Sequence, residues 1–193
     1  MPNNSYFKLK QCIYSPVALE NNILNWPGSD FSLNQDPTLS VKNIILNLHR
    51  LFSHCINPLI EKFGDNLVLI SAYRNKEVNK ILGGVENSQH IYGYAADIAI
   101  NNNIPSAYLF NWCKLYIPQY HQLIWEYPER GNYSSDTINF SWVHISYIQG
   151  NNDKINSISS TNPRTHNAYK SEDTFFLNNF THRIPFANQQ KLK

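Results

Sequence analysis

The chain has 193 residues, 42% of them hydrophobic, and a formal net charge of +2, enough for one domain with a real core. No basic stripe or run of like charge suggests nucleic acid or an anionic membrane surface, and no window approaches the roughly 18 apolar residues of a membrane helix. Cys12, Cys55 and Cys113 are far apart and odd in number, so buried free thiols are expected rather than a disulfide framework, and a metal would have to use histidine and carboxylate.

Residues 1–38 read as a lead-in of helix and loop. The opening MPNNSYFKLKQC lacks the apolar core of a signal peptide, so the expectation is a protein made and kept in the cytoplasm unless another system exports it. Ser15-Pro16 is a helix start with proline at the first helical position, Pro27-Gly28 its end, and 34–38 a loop. Ser40 then caps a long helix over 41–63. Ile44, Ile45, Leu48, Leu51, Phe52, Cys55, Ile56, Leu59, Ile60 and Phe63 fall on one stripe of it at helical period. Pro58 removes a bond to His54 and predicts a kink, and Gly64 stops the helix. His49 and His54, which ride on it, are expected to be surface or satisfied core residues.

LVLISA at 67–72 has the length and branching of a buried strand. Asn75 caps a short helix closed by Gly83-Gly84, and 88–94 is a loop. In the next strand, 95–100, Ala96, Ile98 and Ile100 take the core face while Ala95, Asp97 and Ala99 take the other. A helix opens at Pro105-Ser106 and runs to about Tyr116. A third strand at 121–127 puts Leu123 and Trp125 on one face, and Gln122, Ile124 and Glu126 on the opposite one. After a loop over 130–139, a fourth strand at 142–147 turns Val143, Ile145 and Tyr147 inward and Trp142, His144 and Ser146 outward. Helices with a short, mostly antiparallel sheet packed against them make the fold class α+β. The character changes after Gly150. Residues 151–193 read as a polar arm with a small aromatic cluster, Phe175, Phe176, Phe180 and Phe186, that either packs on its own domain or docks on a partner.

The chemistry concentrates in 71–97, SAYRNKEVNKILGGVENSQHIYGYAAD, and in WVHISY at 142–147. His90 sits on a turn, Gly93 lets the backbone fold back, Asp97 lies inside the next strand, and His144 arrives from another. Two imidazoles and one carboxylate are three of the four ligands that zinc takes, leaving a position for water. The residual positive charge of such an ion acidifies that water and polarises a carbonyl. A lone histidine is more often structural; three such residues in these contexts are not easily explained that way.

These blocks resemble the zinc D-alanyl-D-alanine carboxypeptidase family of peptidoglycan peptidases, whose fold is shared with the Hedgehog signalling domain. The match is to the branch common in phages and bacteria, through S-x-Y-R, G-G-x-x-x-S-Q-H-x-x-G-x-A-A-D and W-V-H-x-S, and it runs from about Tyr14 to Ile148. It implies a zinc peptidase domain over 1–150, with His90, Asp97 and His144 on the metal and Arg74 at the mouth of the site. There a guanidinium would grip a substrate carboxylate or steady an oxyanion; the structural alternative is an ion pair with Glu77. Ser88 and Gln89 would shape the loop, Ser88 with a further option of touching substrate or a ligand. Many relatives carry an acidic residue three positions before the last histidine, where this chain has Ser141. Glu126 is therefore the candidate general base, against the alternative of an edge-strand glutamate paired with Arg130. Asp136 on the loop is a weaker candidate, and His121 has the wrong parity. Tyr92, Tyr94 and Trp142 would line the cleft, with core packing the stronger alternative for Trp142.

The substrates implied are peptidoglycan stem peptides. About one residue in seven is asparagine, well above ordinary usage, which points to an AT-rich genome such as that of a phage or an AT-rich bacterium. A phage lysin released by a holin, or a peptidase carried in a virion, suits a chain read as having no export signal. The competing expectation is a structural or binding protein of a phage particle that keeps the fold and the zinc and uses 151–193 to meet other phage structural proteins.

Overall fold

The computed structural model describes residues 6–29, 39–101, 104–128, 130, 140–151 and 153–159. In the lead-in, α1 (Leu9–Cys12) is followed by α2 (Pro16–Glu20), whose first turn is capped by the Ser15 hydroxyl accepting the Ala18 N–H at 3.2 Å. Val17 and Ala18 of α2 pack on Val78 and Leu82. The lead-in is thereby tied to the region that the sequence reading marks as chemical.

The central helix begins as expected. Ser40 accepts the Asn43 N–H at 3.3 Å, and α3 (Val41–Leu51) follows. Of the stripe, Ile44, Leu48, Leu51, Phe52, Cys55, Ile56 and Leu59 are wholly buried, Ile60 and Phe63 nearly so, and Ile45 only partly. The disturbance expected at Pro58 takes a specific form: Phe52–Ile56 is a π turn, in which the Asn57 N–H reaches back to Phe52 O, before α4 (Asn57–Phe63) resumes. Proline has no N–H, and its ring crowds the carbonyl four residues earlier. A widened turn just ahead of it absorbs both problems without ending the helix. Gly64 then stops α4 with φ of +53°.

The sheet runs in the order β1-β2-β4-β3-β5. Its strands are β1 (Leu67–Ser71), β2 (Ala95–Ile100), β3 (Gln122–Glu126), β4 (Trp142–Ser146) and β5 (Ile155–Ser159). Between β1 and β2 lies α5 (Lys76–Ile81), and between β2 and β3 lies α6 (Ser106–Tyr116). All neighbours are antiparallel except β3 and β5. One face carries Leu69, Ala96, Ile98, Ile100, Leu123, Val143 and Ile145 into the main core with the α3 stripe and with Leu109, Phe110 and Cys113 of α6. This is the parity read from the sequence, and the fold is α+β as expected. The three cysteines are buried and free.

The opposite face has two halves. Val68, Ile70, Ala99 and Phe140, with Trp142 against them, make a small apolar cluster. Asp97, His144 and Glu126 alternate with core residues along β2, β4 and β3 and so share that face.

β5 lies inside the stretch read as a polar arm. INSIS is exposed along most of its length and has no apolar alternation to announce it. It is a strand because its backbone pairs with β3, from Gln122 opposite Ile155 to Glu126 opposite Ser159. The sheet therefore extends past residue 150. The Phe175–186 cluster, the 34–38 loop and Asp136 fall outside the described residues, as does most of the 130–139 loop. Among the described residues no helix is long and apolar enough to cross a membrane.

Gly93 joins the loop to β2 at the point of closest approach to α3. Its φ is +72°, and an added Cβ would stand 2.7 Å from Ile44 O and 3.0 Å from Leu48 Cγ. Both the backbone conformation and the space exclude a side chain. Gly93→Ala is expected to destabilise the chain by about 2 kcal/mol or more, read as a lowered urea midpoint with the slope unchanged.

Candidate metal centre

The site starts from strand pairing. β2 and β4 place Asp97 directly opposite His144, and opposite residues of an antiparallel pair project to the same side with their Cβ atoms close together. His90 comes from the loop before β2, where the Ile91 N–H closes on Ser88 O at 3.0 Å and the Gly93 N–H on His90 O at 3.3 Å. The loop folds the imidazole over the end of β2. His90 Nε2 lies 3.2 Å from Asp97 Oδ1, His144 Nδ1 lies 3.0 Å from the same oxygen, and the two nitrogens are 3.3 Å apart. His90 and Asp97 are buried and His144 nearly so.

The far side of each imidazole meets a proton acceptor. His90 Nδ1 is 2.6 Å from Ala72 O. A carbonyl only accepts, so Nδ1 carries a proton and Nε2 is turned into the cluster. His144 Nε2 lies 3.4 Å from Gln89 Oε1, while its Nδ1 lies 3.0 Å from Asp97 Oδ1. With a cation among the three groups Nδ1 would give up its proton to serve as a ligand, and Gln89 would accept one on Nε2. Burial, helped by the Arg74 guanidinium, pushes His90 down to about 4, so its ring is neutral near pH 7. Burial alone would raise Asp97, but His90, His144 and Arg74 outweigh it and hold the carboxyl well below the usual range. Two imidazole nitrogens and one carboxylate oxygen thus lie within 3.3 Å of one another. With a cation among them all three could serve as ligands. Ligands at about 2.0–2.1 Å on a tetrahedral ion stand about 3.3 Å apart, and the observed triangle matches one face of that tetrahedron. The group is close enough to bind a metal.

Arg74 stands at the edge of this triangle. Its Nη2 is 3.7 Å from Asp97 Oδ2, so the guanidinium turns toward the cluster, and its backbone N–H bonds to His90 O at 3.3 Å. Nε is buried with no hydrogen-bond partner.

Residues 38–124 match the family model described as Peptidase M15. Over that span the chain is similar to the Peptidase M15 family. No curated protein and no solved structure matches it. The matched span contains Arg74, Gln89, His90 and Asp97; Glu126 and His144 lie beyond it and are joined to it by β3 and β4. The resemblance read from the motifs is therefore upheld at the level of the family.

Glu126 opposes Trp142, two pairs along from Ile124 opposite His144, and so lies on the face of Asp97 and His144 as its parity predicted. Burial chiefly, and then the charge of Asp97, push its carboxyl above the ordinary value, against the opposing pull of His144 and a bond to Ser159. Its Oε2 is buried without a partner. Arg130, the alternative partner, instead lays its guanidinium 3.7 Å over the Tyr127 ring. Ser141, where many relatives carry an acid, is buried and structural. Its hydroxyl accepts the Trp125 Nε1–H at 2.7 Å and donates to Glu126 O at 2.9 Å, which holds the Glu126 peptide in place. The chain leaves β3 at once, with Tyr127 at a φ of +53°, a conformation that bulky side chains rarely adopt and that the neighbouring structure must enforce.

The remaining predicted residues divide. Tyr92 is half-buried and stacks on Tyr94 with centroids 5.9 Å apart. Trp142 packs on Tyr127 and Phe140 and shares the outer face with His144. Ser88 is buried in the turn. The residue that reaches a ligand is its neighbour Gln89, which the sequence reading assigned only to loop shape. Its position directly before His90 was the available signal. His54 stacks on Tyr147 and His49 packs on Phe7, the structural roles expected of both.

Gln89→Ala is expected to weaken zinc binding by roughly 10–100-fold, the usual cost of losing a partner that orients a ligand. His144→Ala should abolish stoichiometric binding. Competition against a chromophoric chelator measures both.

Proposed function

We propose that the chain is a zinc-dependent peptidase that hydrolyses peptide bonds in bacterial peptidoglycan, with His90, Asp97 and His144 as the metal ligands. The observation that carries this reading is the triangle of His90 Nε2, Asp97 Oδ1 and His144 Nδ1, with an acceptor beside the other nitrogen of each imidazole. The match of residues 38–124 to the Peptidase M15 model supports it. Zinc held there would supply Lewis acidity, polarising the scissile carbonyl and acidifying the attacking water.

The chain's own residues supply the rest. Glu126 takes a proton from the attacking water and passes it to the leaving amine. A carboxyl pushed above its ordinary range is better matched to both halves of that task than an unperturbed one. Arg74 offers unspent N–H donors beside the cluster, to bind a carboxylate of the stem peptide or to stabilise the oxyanion as it forms. Tyr92 and Trp142 wall the approach and limit water. Ser88 shapes the loop from which His90 projects. Such an enzyme meets its substrate outside the cytoplasm, which suits a phage lysin or a virion-borne peptidase.

Metal analysis of the purified chain, with mass spectrometry of peptidoglycan fragments after digestion, tests the reading. Stoichiometric zinc and new peptide termini are expected; intact stem peptides with the zinc-loaded chain would reject it. Glu126→Gln should retain zinc and lower kcat by about 10²–10⁴. In the wild type, activity should fall as pH drops through the pKa of Glu126, since the base works only when ionised. The midpoint of that acid limb is expected above the ordinary glutamate value of about 4.3. The Glu126→Gln residual rate should lack the limb.

A further inference from the structure

Asn25 is a buried polar residue that the proposed reaction does not use. It sits in the lead-in between Leu24 and Trp26, both exposed. Its carboxamide makes three hydrogen bonds. Nδ2 donates to Ile13 O at 2.8 Å and to Tyr73 O at 3.1 Å, and Oδ1 accepts the Asn75 N–H at 2.8 Å. The last two bracket Arg74: one is the carbonyl before it, the other the N–H after it. A carboxamide has the donor and acceptor of a peptide group, so Asn25 pairs across residue 74 much as a neighbouring strand would. Both peptide planes flanking the Arg74 Cα are held, and with them the direction of its Cα–Cβ bond.

The surrounding bonds agree. The Tyr73 N–H goes to Cys12 O at 2.8 Å, the Arg74 N–H to His90 O at 3.3 Å, and Asn75 Nδ2 to Leu24 O at 3.2 Å. The Arg74 side chain is held far less tightly. Its contact with Asp97 is 3.7 Å and its Nε has no partner. A guanidinium with so few bonds of its own takes its aim from its backbone.

We propose that Asn25 is a positioning residue for Arg74, clamping the backbone of residues 73–75 so that the guanidinium is presented beside the metal ligands with free donors for the carboxylate or carbonyl of a peptide substrate. This rests on the reading of Arg74 as a substrate-binding residue. It also gives the lead-in a role in the site, through a residue 49 positions from the arginine it aims.

The test compares zinc-loaded full-length Asn25→Ala, Arg74→Ala and the double variant on purified stem peptides. Asn25→Ala should keep full zinc content and lose about tenfold in kcat/KM, the size of one charge-assisted hydrogen bond. The double variant should be no worse than Arg74→Ala alone. A purely structural asparagine predicts multiplied losses, and that result, or an unchanged kcat/KM, overturns the assignment. Asn25→Asp, which keeps the volume and the acceptor for Asn75, serves if the alanine variant fails to fold; if neither binds zinc stoichiometrically, Asn25 is a folding residue and the proposal falls. A second readout is independent of hydrolysis: phenylglyoxal labelling of Arg74, followed by mass spectrometry. Faster labelling in the Asn25 variant supports the clamp and an unchanged rate rejects it. Wild-type chain that hydrolyses nothing would sink the peptidase reading while leaving this second answer intact.

Discussion

Everything in the site depends on three ligand-type atoms being brought to one point. His90 Nε2, Asp97 Oδ1 and His144 Nδ1 stand 3.0–3.3 Å apart, and each imidazole has an acceptor beside its second nitrogen, Ala72 O or Gln89 Oε1. Partners of that kind orient the rings, as a metal centre requires. The surroundings maintain the arrangement. β2 and β4 are registered so that Asp97 and His144 face each other, and the loop that carries His90 is pressed on α3 at Gly93, where no side chain fits.

The charges around the triangle follow from the same packing. A buried carboxylate beside two imidazoles and a guanidinium stays ionised, because the loss of solvation is outweighed by partners on several sides. Glu126 lies on the same face but lacks that company. Its burial is only opposed by His144 and a bond to Ser159, so its carboxyl moves up while that of Asp97 moves down. Two carboxyls on one sheet face whose environments push them apart are suited to different tasks, one to hold a cation and one to trade a proton.

The elements that carry these groups are held by interactions that do no chemistry. Ser141 anchors the Glu126 peptide, the π turn before Pro58 keeps the central helix continuous beneath the sheet, and β5 completes the edge by backbone pairing with β3. β5 is the clearest case of structure without sequence signal. Its residues are exposed, so no alternation of apolar side chains was selected, and only the unpaired edge of β3 explains why that stretch is extended. A substitution on its surface should matter far less than one in the strand it covers.

Read alone, the sequence was enough to determine the α+β class, the helix stripe, the parity of three strands and which three side chains, His90, Asp97 and His144, come together. Those features depend on local periodicity and on motifs that are short and contiguous. It also placed Glu126 on the correct face, because parity along one strand is a local property. It did not reveal that Gln89 rather than Ser88 reaches His144, that Ser141 is a peptide anchor, or that Asn25 grips the backbone around Arg74. Each of these is a bond between residues whose meeting depends on how strands and loops are packed, and a side chain's partner across such a distance leaves no trace in its own spacing. Only the folded chain decides which nitrogen of an imidazole faces inward, since that is set by the acceptor that tertiary structure brings to the other one.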